Sequence, residues 1–214
     1  MSVTTNAVKK TGVRRTTNVR MLAQIAMLSA VAAVLMLVEV PLPFLAPTFY
    51  QLDLSELPVL IGAFALGPLA GMMIEMIKIL LNFVLNGTLT AGVGELANFL
   101  IGCALVVPAG YIYRRGKTKK SALIGMGVGT VCMALAGGIL NAFLLLPAYG
   151  KAFGMPVDAF VEMGSAIFPV IDNLFTFCLF SVVPFNMVKG ILVSVITMFL
   201  YKHISRLLKG NQMG

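Results

Sequence analysis

Apolar runs dominate this chain, and short polar or proline-glycine punctuation divides them. The first run covers residues 21–40 and stops at Pro41 and Pro43, which cannot continue a helix. A second opens near Asp53 or Ser55, either of which can cap free amides, places Pro58 in its first turn and reaches only Gly67. That is short for a bilayer crossing, so neighbouring helices have to shield it. Gly67-Pro68 makes a turn, and further runs follow at 70–85, 91–112 and 121–146, the last ended by Pro147. Residues 148–183 form a long outer segment; its apolar end, 174–183, is too short to span, which predicts a surface or re-entrant helix. A sixth run starts at Pro184, a good first-turn residue, and continues to about 204. The pattern predicts an all-α integral membrane protein whose six transmembrane helices form one compact bundle over 19–206. A disordered basic tail at 1–18 and a short tail at 207–214 flank it.

Composition fits that class. Hydrophobic residues make up 59% of the chain and charged ones 11%, which excludes an ordinary soluble domain. The net charge of +8 is where nucleic-acid binding would be sought, but its placement argues against it. Lys9, Lys10, Arg14, Arg15 and Arg20 precede the first run, Arg114, Arg115, Lys117, Lys119 and Lys120 share one loop, and Lys202, Arg206 and Lys209 follow the last run. The opposite loops carry Lys151 with Asp53, Glu56, Asp158 and Glu162. This asymmetry puts the N- and C-termini in the cytoplasm and gives the basic clusters anionic lipid of the bilayer as partner, with no nucleic acid. Residues 21–40 behind a basic leader mimic a signal peptide, but no small-x-small cleavage site follows, so a retained first helix is expected. Cys103, Cys132 and Cys178 form no CxxC and read as small core hydrophobes. Gly116-Lys117-Thr118 echoes a phosphate-binding loop, but Tyr111 stands where such a loop needs glycine.

Polar residues inside apolar runs are expensive and mark candidate chemistry. Glu75, Lys78 and Asn82 share one helix face; a self-neutralising Glu75–Lys78 pair is favoured over direct ligand contact. Around the turn at 86–95, Thr90 and Glu95 offer hydrogen bonds and Gly92 allows close approach. The loop 41–52, stiffened by three prolines and carrying Phe44, Phe49 and Tyr50, reads as a lid over a ligand or as a membrane-surface anchor. Asn141 on one span and Asn186 with Lys189 on another lie at one depth near the outer end. Amide donors and acceptors beside an ammonium suit a planar, amide-rich ring, and unpaired they would be costly to bury. On the first span, Ala26 and Ala30 are four apart, as are Ser29 and Ala33; this small-residue face serves a partner or internal packing equally well. No nucleophile motif or ligand cluster for a metal speaks for an enzyme. The residues themselves lead to a membrane protein with an outward-facing pocket for a small polar-aromatic compound.

Beyond that point the chain resembles the riboflavin-specific substrate-binding (S) components of energy-coupling factor (ECF) vitamin transporters. The resemblance rests on DLSELP at 53–58, GPLAG at 67–71, GTLTAGVGELANF at 87–99, Asn141 ahead of Pro147, and PFNMVKG at 184–190. It implies a six-helix protein of the cell membrane that binds riboflavin near the extracellular face, beneath the loop joining the first two spans. Asn141, Asn186 and Lys189 would then hold the flavin's ring edge, with Thr90, Gly92, Glu95, Phe49 and Tyr50 around it. Riboflavin would be the transported ligand, with no cofactor. A separate scaffold (T) subunit and two ATP-binding subunits would drive import, the scaffold meeting an Ala-x-x-x-Ala element on the first span. The alternatives are an S component for another small vitamin, an ion-coupled transporter acting alone through Glu75 or Glu95, and a membrane-embedded enzyme.

Overall fold

In the computed structural model, backbone is described for residues 4–88 and 92–209 and side chains for 19–88 and 92–200. The first helix, α1 (Thr4–Met36), begins well inside the expected disordered tail. That leader has no proline and a single glycine, so nothing in it stops a helix extending backwards from the span. At the other end α1 stops at Met36 rather than at residue 40. The residue preceding a proline is pushed into extended conformation, and Val40–Pro41 (β1) pairs antiparallel with Gln51–Leu52 (β2), Val40 opposite Leu52. This short ribbon ties both ends of the proline-rich loop together.

The second helix, α2 (Glu56–Leu66), has 11 residues and is about 16 Å long, too short to cross a bilayer alone. It is shielded as expected: Glu56 to Leu60, Gly62 and Ala63 are buried. Gly67 then turns the chain at φ 106°, a conformation that strains other residues, and α3 (Pro68–Asn86) starts on its proline. α4 (Val93–Gly116) is followed by Lys117 in left-handed conformation and by Thr118, whose side chain caps α5 (Lys119–Leu140) in a reciprocal box with Ser121. The lysine and threonine of the phosphate-loop look-alike thus make a helix connection.

Two expectations about residues 141–184 give way. Pro147 does not end the fifth span: Asn141–Leu145 form a π-helical turn and α6 (Leu146–Phe153) continues the same rod, an apolar run from Lys119 to Phe153. Likewise 174–183 is not a separate re-entrant helix. The short α8 (Leu174–Phe177), a second π turn at Cys178–Val182 and α9 (Val183–Lys209) form one rod, with Pro184 inside it. In both rods a wider turn stands just before the proline. The register shift there accommodates a residue that lacks an N–H and would otherwise crowd the preceding turn. Between the two rods lies α7 (Val157–Ser165).

The bundle packs α4 on α5, α5 on α9, and α3 on α1, α2 and α4. Gly125 lets α5 approach α4 closely; a Cβ there would stand 2.8 Å from the Ala109 carbonyl oxygen. The burial pattern is that of a membrane protein: Val84, Phe143 and Phe199 are more than three-quarters exposed, while Glu75 and Lys78 are fully buried. Among the described residues, five helices are long and apolar enough to cross a membrane. At one end, Phe64 stacks on Tyr113 at 4.6 Å and Met198 joins them, so the α2–α3 turn, the basic α4–α5 loop and the far part of α9 share that end. The ribbon, α6 and α7 gather at the other.

Candidate ligand-binding site

At the ribbon end the bundle opens into two cavities that share Met36, Glu39, Phe49, Gly94, Asn98 and Tyr149. The smaller, about 210 Å³, is bounded by Asp53, Asn141, Phe185, Asn186, Lys189 and Tyr50. The larger, about 490 Å³, extends between α3, α4, α6 and α7 and presents Asn82, Asn86 and Glu95 with Phe153, Phe160 and three methionines. Its volume lies in the range of small-molecule sites.

The loop supplies an aromatic roof. Phe49 stacks against Tyr50 at 4.6 Å and meets Phe160 edge-on at 5.7 Å; Tyr50 lies 5.7 Å from Phe185. The Tyr50 hydroxyl donates to Asn141 Oδ1, joining the loop to the first residue of the π turn, and burial pushes the Tyr50 hydroxyl's pKa well above its ordinary value. Ser181 Oγ donates to the Leu45 carbonyl at 3.2 Å. The proline-rich segment is therefore seated inside the bundle end. Its Phe49 and Tyr50 line the cavities, whereas Phe44 remains exposed.

Both asparagines are oriented by their own helices: Asn141 Nδ2 donates to the Gly137 carbonyl at 2.8 Å and Asn186 Nδ2 to the Val182 carbonyl at 2.9 Å. Gly137 also makes room, since a Cβ there would stand 2.6 Å from Asn186 Nδ2. Lys189 is not a free ammonium. Its Nζ lies 2.7 Å from Asp53 Oδ2, both groups under a tenth exposed. Burial alone would raise the pKa of the Asp53 carboxyl, but Lys189, Lys78 and the Ser55 amide outweigh it and hold the value at about 2. Burial and the neighbouring Asp53 push the Glu39 carboxyl up, against Lys189.

Behind the cavity the polar contacts continue. The Ser55 N–H donates to Asp53 Oδ1 at 2.8 Å, and Lys78 Nζ donates to Ser55 Oγ at 3.2 Å. Lys78 is paired with Glu75 at 2.7 Å, as the helix spacing predicted, and also with Glu56 at 2.9 Å. The three charged groups are essentially inaccessible and line neither cavity.

The structure thus brings Asn141, Asn186, Lys189, Phe49 and Tyr50 to one cavity, and Glu95 to its neighbour, where Thr88 donates to Glu95 Oε2 at 3.0 Å. Gly92 lines neither; with φ 90° it makes the turn before α4, and Gly94 reaches both cavities instead. Thr90 lies outside the described residues. The small-residue face of α1 splits. Ser29 and Ala33 are turned into the core, with Ser29 Oγ donating to the Ile25 carbonyl at 2.8 Å, whereas Ala26 and Ala30 are exposed beside Leu22 and Val34. The two pairs are offset by three residues, about 60° round the helix, so they are neighbouring stripes, and the edge of the buried face runs between them. Sequence reasoning missed Glu39, Asn98, Tyr149 and Asp53 as cavity residues. Asn98 sits in the quoted 87–99 stretch, and Asp53 was read as a cap. Among the described residues no group of His, Cys, Asp and Glu is placed to hold a metal ion.

Residues 20–201 match the profile of the family described as ECF transporter, substrate-specific component. The chain is 35% identical to riboflavin transporter RibU of Staphylococcus aureus, over 88% of this chain and 92% of that one. It is 32% identical to riboflavin transporter FmnP of Bacillus subtilis, over 83% and 88%. A solved structure described as the S component of a bacterial ECF transporter superposes with a TM-score of 0.70 at 34% identity, over 90% of this chain and 99% of that chain.

Proposed function

This chain belongs to the family of ECF-transporter substrate-specific components, and we propose that it captures riboflavin at the outer face of the cell membrane and delivers it through a separate ATP-driven module. The observation that carries the reading is the meeting of Asn141, Asn186 and the Lys189–Asp53 pair in one cavity beneath an aromatic loop. A flavin ring has a hydrogen-bonding imide edge and broad apolar faces. The asparagines and Lys189 offer donors and acceptors for the edge, and Phe49, Tyr50 and Phe185 cover the faces. The adjoining cavity, with Asn82, Asn98 and Glu95, gives the hydroxyl-bearing chain of the vitamin polar partners.

In this reading the chain has six spans, counting the buried α2, with the ribbon end outside and the basic loops and both termini in the cytoplasm, as the asymmetry of the basic clusters suggests. Single cysteines at Ser121 and Lys151 should then label from opposite sides. Import needs a scaffold (T) subunit and paired ATP-binding subunits, and Ala26 and Ala30 on the exposed stripe of α1 are the contact for the scaffold. The test is the absorption spectrum of the purified full chain: a yellow preparation with a flavin spectrum supports the reading, and saturable binding of a different vitamin in place of riboflavin overturns it.

A further inference from the structure

The Lys189–Asp53 pair bears on which form of a ligand the site accepts. A lone ammonium at Lys189, only 7% exposed and facing a cavity, would demand an anion. Asp53 supplies one from the protein itself, at 2.7 Å. Its position is fixed from behind: one carboxylate oxygen accepts the Ser55 N–H, and the Ser55 hydroxyl is held by Lys78, which Glu56 and Glu75 clamp in turn. The chain from Lys189 to Glu75 is continuous and buried. The ammonium keeps further N–H donors for a ligand while its charge is already balanced.

We propose that Asp53 is a positioning residue that makes Lys189 an uncharged-ligand donor, so that the site takes the neutral imide form of the flavin ring and rejects anions at the ring edge. This rests on riboflavin being the ligand. The other charged groups point the same way. Glu39 faces the same cavity, Glu95 the adjoining one, and Glu56 and Lys78 stand behind Ser55. Tyr50 and Tyr149 are the neutral titratable neighbours. Among the described residues lining the two cavities, Lys189 is the one cation, and it is paired. A ring that lost its imide proton would bring a negative charge toward Asp53 and Glu39 with no unspent positive charge to meet it.

The flavin imide N–H ionises in alkaline solution with a change in absorption, which reports directly on the charge the site presents. The experiment titrates the purified full chain with bound riboflavin from neutral to alkaline pH, in parallel with free riboflavin. In the wild-type chain the bound ring should ionise no earlier than the free vitamin. In Asp53→Asn the unbalanced Lys189 should move the bound ring's ionisation down by about 1–3 pH units. The double variant Asp53→Asn/Lys189→Gln should return it to the wild-type position. A loss of affinity in Asp53→Asn without a shift in that ionisation would overturn the proposal and leave riboflavin as the ligand. If Asp53→Asn does not fold, the wild-type titration still decides, because a bound ring that ionises earlier than the free vitamin contradicts a charge-balanced site. A wild-type chain that takes up no flavin removes the functional reading, and this inference falls with it.

Discussion

Replacing Lys78 by methionine is the sharpest perturbation of the fold that the structure suggests. The ammonium sits 2.7 Å from a Glu75 oxygen and 2.9 Å from a Glu56 oxygen, and none of the three side chains exceeds 1% exposure. Methionine matches the length of the apolar stem, so packing is nearly preserved while the charge disappears. What remains is a pair of carboxylates facing each other with no cation. Glu56 Oε2 and Glu75 Oε2 already lack hydrogen-bond partners, so the loss cannot be passed to a neighbour. Removing one partner of a buried ion pair costs about 3–5 kcal/mol, roughly a hundred-fold or more in the folding equilibrium. Unfolding of the purified chain in detergent, followed by circular dichroism, measures the loss. The companion variant Glu56→Leu/Lys78→Met/Glu75→Leu removes the whole cluster and should cost far less than Lys78→Met, because no charge is left to desolvate. A Lys78→Met loss below about 1 kcal/mol, or a triple variant as damaged as the single one, would refute charge compensation as the role of Lys78.

Other outcomes follow from single contacts. Gly137→Ala should displace the Asn186 side chain and weaken flavin binding by about tenfold, the loss of one hydrogen bond, with helix content unchanged; equilibrium titration checks it. Ala30→Trp should abolish uptake in cells supplying the ATP-driven module while flavin binding to the isolated chain persists, since Ala30 is exposed and is not among the residues lining either cavity. Because the Asp53 carboxyl is held at about 2 against 3.8 for the ordinary group, its stabilisation is complete above the ordinary value and fades only as pH falls through about 2. Unfolding midpoints from about pH 8 down to about pH 5 should therefore show no loss that depends on Asp53.

The spans were legible because a bilayer demands long apolar runs, and the Gly67-Pro68 turn because few residues other than glycine adopt φ 106°. The Glu75–Lys78 pair was legible because residues three apart share a helix face. Glu56 was not, since it reaches Lys78 from another helix and nothing local records that approach. Pro147 and Pro184 misled in the same way: a proline breaks a regular helix, but a π turn ahead of it changes the register, and no residue pattern announces that turn. Small residues on α1 mark close approach without saying from which side. Burial then separated Ser29 and Ala33, inside, from Ala26 and Ala30, outside. Asp53 illustrates a residue with more than one role, for one carboxylate oxygen accepts the Ser55 amide while the other holds Lys189 across the bundle.

The central claim is that the cavity lined by Asn141, Asn186 and Lys189 holds riboflavin. Its most direct measurement is an equilibrium titration of the purified full chain with riboflavin, read by quenching of flavin fluorescence, beside Asn141→Ala and Asn186→Ala. Truncating Lys189 is a poorer choice, because it would strand Asp53 as a buried, unpaired carboxylate. The account predicts saturable binding of one flavin per chain, weakened about ten- to a hundred-fold in each asparagine variant with the fold retained. Unchanged affinity in both variants, or no saturable binding to the wild-type chain, would contradict it.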